Sequence, residues 1–372
     1  MQPAGTFNMA YRQDMAIIRT RFQWVAFIGF LVFFFTVIPL GVSEGMLSLI
    51  NTIGIVIIAV LGLNILIGYC GQISIGHAAF VAVGAYTAGI LTHHFGWSAW
   101  ATLPFSILVA SLIGLIFGLP ALRVKGFYLA MTTLAAQVMI IWFIAHGEHF
   151  GIPTGGSYGL SVARPTLPIG NMVITLPWQV GDTYRVFDSV INKEWEFFYL
   201  IMVFVVIAVF LAKNLSRTRI GRAFIAIRDN DLAAEVLGIN LGYYKLLAFF
   251  IACAFAGLAG WLNVYYFASA FTEHYPLMNS IWWVGILIVG GLGSTMGAIY
   301  GAVFILLLDY GAAVLAPMIG NVFPAVGNQI LAASTVILKG LVIALFIVFE
   351  PRGINHRWEI IKSYYRLMPF SY

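Results

Sequence analysis

The chain has 372 residues, of which 61% are hydrophobic and 9% charged, and its formal net charge is +5. A soluble domain carries about 25% charged residues, so this composition excludes a water-soluble globule. Repeated long apolar runs leave an all-α polytopic membrane protein. The basic excess falls in a few short loops, the pattern of cytoplasmic retention and not of nucleic-acid binding. Cys70 and Cys253 both sit in apolar segments, which excludes a disulfide framework or a C-x-x-C metal pattern and leaves two small buried hydrophobes.

Residues 1–21 are polar, carry Arg12, Arg19 and Arg21, and read as a cytoplasmic N-terminal tail. The apolar run Val25–Leu40 exceeds a signal-peptide core of roughly 7–15 residues, and no A-x-A site follows, so it reads as an uncleaved first span. Within a transmembrane domain over 22–350, spans are predicted at 22–40, 46–68, 75–94, 99–119, 127–146, 196–212, 246–269, 280–292, 296–316 and 329–349. Alternating passes then place Arg12, Arg19 and Arg21 on one side with Arg123 and Lys125, with the basic residues of 213–245, and with those of a cytoplasmic tail over 351–372. That agreement predicts about ten transmembrane segments, some short or broken, with both termini cytoplasmic. The brevity of 280–292 leaves eight or nine crossings plus a re-entrant element as the alternative. Residues 147–195 become a periplasmic loop, long enough for a lid or docking surface and equally compatible with a solvated excursion.

The stretch NILIGYCGQISIGHAAF (64–80) interrupts an apolar run with Asn64, three glycines, Gln72, Ser74 and His77. A loose echo, ILIVGGLGSTMGAIYGAVF (286–304), carries Ser294 and Thr295. Paired Gly-interrupted segments in two halves of a transporter point to the substrate region. Asn64, Gln72, Ser74, His77, Ser294 and Thr295 are therefore the candidate path residues, with freed helix-start N–H groups expected to face a substrate carboxylate. The plainer alternative for His77 is a hydrogen bond to a neighbouring helix.

In the 213–245 loop, Asp229, Asn230 and Asp231 are good N-caps, Leu232–Leu237 contains good helix formers and Gly238 is a natural stop. A helix over about 231–237 is predicted there. So short a helix is marginal alone, and needs its own bundle, lipid headgroups or another protein to pack on. Later spans carry Asp309 and Lys339. An unpaired charge in the bilayer is costly, so an ion pair is predicted, serving as a structural clamp or else lining the path. Ala78–Ala82, Ala85–Gly89, Gly257–Trp261 and the Ala252, Ala256, Gly260 series have small-residue spacing for close helix contact. Trp97, Trp100, Trp178, Trp195, Trp282 and Trp283 read as interfacial belt residues.

Several segments together resemble one family: LNILIGYCGQISIGHAAFVAVGAY (63–86), LRVKGFYLAMTTLA (122–135), RTRIGRAFIAIRDNDLAAEVLGIN (217–240), KLLAFFIACAFAGLAG (245–260), VGGLGSTMGAIYGA (289–302) and FEPRGI (349–354). They are similar to the permease subunits of bacterial branched-chain amino acid ABC importers, specifically the larger, M-type permease. The resemblance implies a bacterial inner-membrane chain. It would pair with a second permease subunit, two cytoplasmic ATPase subunits and a periplasmic substrate-binding protein. ATP and Mg would be held by the ATPases, with no cofactor on this chain and no enzymatic activity of its own. No G-x-x-x-x-G-K-[ST] pattern occurs, which fits.

By the same resemblance 222–238 is the element that couples to the ATPase. Arg222, Arg228, Asp229, Asp231 and Glu235 are its polar contacts, with Ala233, Ala234 and Leu237 as its packed face. Relatives of the family also move urea and short amides. An autonomous ion-coupled transporter or channel is the rival from another class, and needs no ATPase-docking loop. A membrane enzyme is disfavoured, because neither H-E-x-x-H nor clustered carboxylates occur.

Overall fold

The computed structural model describes residues 21–121, 126–156, 159–162, 167–169, 172–174, 184–186, 189–191, 193–322 and 327–367. Arg12, Arg19, Arg123, Lys125 and Trp178 lie outside them. The chain folds almost wholly into helices: α1 (Arg21–Gly41), α2 (Glu44–Asn64), α3 (His77–Phe95), α4 (Ala99–Ala121), α5 (Phe127–Ala145), α6 (Lys193–Leu215), α7 (Arg219–Asp229), α8 (Asp231–Val236), α9 (Leu241–Phe267), α10 (Leu277–Gly290), α11 (Thr295–Val322), α12 (Gly327–Phe349) and α13 (Gly353–Leu367). Among the described residues, six helical stretches are long and apolar enough to cross a membrane: Glu44–Tyr69, Ala99–Pro120, Phe127–Ala145, Glu194–Leu215, Leu241–Phe267 and Thr295–Val314. Helices also lie at the other predicted span positions, but α10 has only 14 residues.

The fold centres on α9, which packs most extensively on α4, α3 and α2, while α6 lies along α2 and α11 along α10 and α12. Small residues set these contacts. Gly84 of α3 faces Gly257 of α9, and a Cβ on Gly260 would overlap the Val81 carbonyl oxygen. Close backbone approach of this kind holds membrane helices together where no water-driven force acts between them. Trp261 and Tyr265 are fully buried at the same seam. The Trp261 Nε1–H donates to the Ala99 carbonyl at 2.9 Å. Cys70 and Cys253 are both buried free thiols.

The predicted 147–195 loop is more structured at its start than an excursion. A 3₁₀ turn (Gly147–Phe150) leads to β1 (Leu160–Ser161), which pairs antiparallel with β6 (Ser269–Ala270) just after α9. Two further short antiparallel pairs follow β1, Leu167–Ile169 (β2) with Met172–Ile174 (β3) and Tyr184–Val186 (β4) with Ser189–Ile191 (β5). The 213–245 loop contains two helices where one was expected, because α7 forms ahead of α8. Thr218 caps α7 by accepting from Gly221 N–H at 3.2 Å, and Ala223, Phe224 and Ile227 bury its apolar face.

Replacing Gly260 by Val forces α3 and α9 apart. Overpacking of this kind costs about 1–3 kcal/mol, so the thermal-unfolding midpoint in detergent should fall. Gly311→Val places its Cβ in open space and should leave the midpoint where it was.

Candidate functional site

The interrupted stretch 64–77 is a break in the helical path. After α2 the chain widens into a π-helical turn, Ile65–Tyr69. Cys70, Gly71 and Gln72 then tie back to the carbonyls of Ile65, Ile67 and Leu66. Gly71 takes a left-handed φ of +71°, which a side chain disfavours. Residues 72–76 are non-helical and climb back beside α2, because the His77 ring donates from Nε2 to the Ala59 carbonyl at 3.0 Å. Ala59 precedes Tyr69 by ten residues, or about 15 Å of helix. Helix α3 therefore starts inside the bundle, where free N–H groups must find partners.

Those partners come from other helices. Ala78 N–H donates to Ser280 Oγ of α10, and Ala79 N–H to Gln137 Oε1 of α5, each at 2.8 Å. Ile75 N–H donates to Thr133 Oγ1 at 2.9 Å, and Gln137 Nε2 donates to the Tyr275 carbonyl at 3.0 Å. The expectation that the N–H groups at this helix start face a substrate carboxylate is thus corrected: Ser280 and Gln137 occupy them. Both features that His77 meets, the Ala59 carbonyl and the edge of Trp283 with ring centroids 6.1 Å apart, belong to neighbouring helices.

The two Gly-rich segments meet directly. Gly293 N–H donates to Asn64 Oδ1 at 3.0 Å, and the hydroxyls of Tyr69 and Thr295 lie 2.8 Å apart. A Cβ on Gly68 would lie 2.5 Å from Gly293 N, so two glycines are needed where the breaks cross. Ser294 caps α11, accepting from Gly297 N–H at 3.1 Å. Gln72 and Ser74 are buried beside the break.

The α7–α8 segment is fastened to this crossing. Arg228 Nη1 donates to the Gly68 carbonyl at 2.8 Å, and the same guanidinium pairs with Asp229 at 2.9 Å. Asn230 caps α8 by accepting from Ala233 N–H, and Asp231 lies 3.8 Å from Lys245. Arg222 turns back to the Arg217 carbonyl. Of the expected packed face, only Ala234 is buried, against the chain's own bundle; Ala233 and Glu235 are exposed. Leu237 points outward with two apolar neighbours: Leu232, Val236 and Leu237 are 66%, 87% and 79% exposed. A polar cleft of about 350 Å³ opens beside them, walled by Gln72, Arg228, Asp231 and Lys245.

A separate cavity of about 310 Å³ lies toward the opposite ends of α2 and α9, between α2, α9, α10, α11 and α12. Lys339 Nζ stands 2.8 Å from Asp309 Oδ2 on its wall and 4.9 Å from the centre of the Trp282 ring. Asn263, His274, Asn279, Trp282 and Trp283 also line it. Sequence reasoning assigned the two tryptophans to an interfacial belt and passed over Asn263, although a lone Asn within the apolar run of α9 was a visible signal. None of Asn64, Gln72, Ser74, His77, Ser294 and Thr295 lines this cavity. Among the described residues no group of His, Cys, Asp and Glu is placed to hold a metal ion.

Residues 45–349 match the family model described as the branched-chain amino acid transport system permease component. The chain is 33% identical over 283 residues to the high-affinity branched-chain amino acid transport system permease protein LivM of Salmonella typhimurium, covering 72% of this chain and 64% of the relative. It is 32% identical over 274 residues to the protein of the same name in Escherichia coli, with the same coverage. A probable branched-chain amino acid transport permease LivM of Methanocaldococcus jannaschii is 24% identical over 353 residues, 83% of this chain and 92% of the relative. The chain thus spans less than two thirds of the length of the first two relatives. No solved structure matches it.

Replacing Gln137 by Leu removes the side-chain donor of the Tyr275 carbonyl and leaves the Ala79 N–H only its longer bond to the Gly76 carbonyl at 3.3 Å. Each unsatisfied buried group costs about 1–3 kcal/mol. The unfolding midpoint should fall, and hydrogen exchange at Ala78 and Ala79 should accelerate.

Proposed function

Because the chain belongs to the permease-component family of branched-chain amino acid transport systems, we propose that it is a translocation subunit of an ATP-driven importer for branched-chain or chemically similar amino acids. In this reading it crosses a bacterial inner membrane about ten times, with both termini in the cytoplasm. A second permease completes the path, two separate ATPase subunits hold ATP and Mg, and a periplasmic protein delivers the solute. The basic tails and the basic 213–245 segment on one side support that orientation.

The observation that carries the proposal is the fastening of α7–α8 to the helix crossing. Helix α8 is too short to stand alone, yet it is held by Asn230, Asp231 and buried Ala234 while Leu232, Val236 and Leu237 stay uncovered. An ATPase groove is the partner that would cover them. Movement of that groove pulls on α7, and Arg228 passes the pull to the Gly68 carbonyl at the point where both broken segments cross. An autonomous ion-coupled transporter has no use for such a handle.

Two variants test this. Arg228→Ala in the assembled transporter should keep ATP hydrolysis while amino acid uptake into proteoliposomes falls ~tenfold, a change of about 1.4 kcal/mol in coupling. Leu237→Glu, which charges the exposed face, should release the ATPases during purification. Full uptake by Arg228→Ala, or stable ATPase retention by Leu237→Glu, contradicts the reading.

A further inference from the structure

We propose that the Asp309–Lys339 pair is a binding site for a zwitterionic α-amino acid in transit, and not a closed structural clamp; this rests on the reading of the chain as an amino acid permease. Charged side chains within membrane helices either pair permanently or mark a solute route. A permanent clamp gains most when it is enclosed and both carboxylate oxygens are satisfied. Here the pair faces a cavity, and the side chains of Lys339 and Asp309 keep 16% and 30% of their surface accessible. Asp309 Oδ2 meets Lys339, but Oδ1 is buried with no hydrogen-bond partner among the described residues.

The cavity volume of about 310 Å³ is at the small end of the range for small-molecule sites, about 300–1,000 Å³. Its chemistry matches an amino acid group by group. The solute carboxylate takes the place of Asp309 at the Lys339 ammonium. The solute ammonium meets the freed Asp309 carboxylate and the face of Trp282, which already attracts a cation. Ile55, Val56, Ile305 and Leu306 supply an apolar wall for a hydrocarbon side chain. The exchange keeps every buried charge paired, since the zwitterion brings one of each sign and leaves with both. A neutral amide brings neither, so it cannot separate the pair without stranding two charges in a low-dielectric setting.

The test uses the assembled transporter with its binding protein in ATP-loaded proteoliposomes, probed with a mixture of the radiolabelled proteinogenic amino acids. Three forms are compared: Asp309→Asn, the neutral double variant Asp309→Asn/Lys339→Met, and the exchanged pair Asp309→Lys/Lys339→Asp. A clamp is restored by the exchanged pair and tolerates the neutral one. A zwitterion site is destroyed in all three, because the charges are removed or sit at the wrong ends relative to the apolar wall. All three are expected to assemble and hydrolyse ATP, with uptake reduced ~tenfold or more. Wild-type-level uptake by either double variant overturns the proposal, as does loss of assembly in Asp309→Asn that the exchanged pair repairs. A wild-type transporter that accumulates no amino acid at all overturns the functional reading, and the site falls with it. Unaltered uptake in the variants of an active wild type overturns the site alone.

Discussion

Inside a bilayer no water is available to a broken helix, so every freed N–H and C=O must be met by the protein itself. At the break over 64–77 several of these groups are met by the chain itself. Its first turn closes on itself as a π-turn, and its return limb is received by Thr133, Gln137 and Ser280. The second break, after α10, is received by Asn64. Each interruption is thus paired by residues from elsewhere in the chain, and the two interruptions pair with each other. The Gly-rich composition at the crossing follows, since backbone can meet backbone there only without side chains between.

This arrangement sets two polar features apart along the bundle. At one end, Arg228, Gly68, Asn64 and Gly293 form a continuous polar thread from an exposed segment to the crossing. Toward the other end lies the cavity with Asp309 and Lys339. Between them stand His77 and Trp283, in edge contact. Ala59, whose carbonyl holds His77, and Trp283 both contribute to the cavity wall. His77 thus ties the return limb of the first break to the cavity wall, through Ala59 and Trp283.

Much of this was readable in the chain. Helix positions followed from apolar run length, and the end of α8 from Gly238, whose φ is +85°. The pairing of the two glycine-rich segments was legible as an echo, but not their contact, because Asn64 and Gly293 are 229 residues apart and no local pattern encodes so distant a meeting. Helix α7 was missed although Thr218 and the spacing of Ile220, Phe224 and Ile227 announce it; its arginines drew attention as loop charges. The role of Gln137 was invisible, since a single polar residue in an apolar span gives no hint of which distant N–H it will meet. Arg228 was expected to point at a partner protein, and its attachment to a carbonyl inside its own bundle depends on tertiary placement alone.

The bonds from Ser280 and Gln137 to the start of α3 have a mechanical meaning. A helix that begins inside a protein is ordinarily a loose end, able to unwind or tilt by itself. Here α3 is tethered at its first turn to both α5 and α10, and Gln137 extends the tether to Tyr275 ahead of α10. The start of α3 is therefore anchored to two other helices. Helices α3, α5 and α10 are thereby bound together at one point, while Gly68 and Gly293 lie apart from it where the two breaks cross.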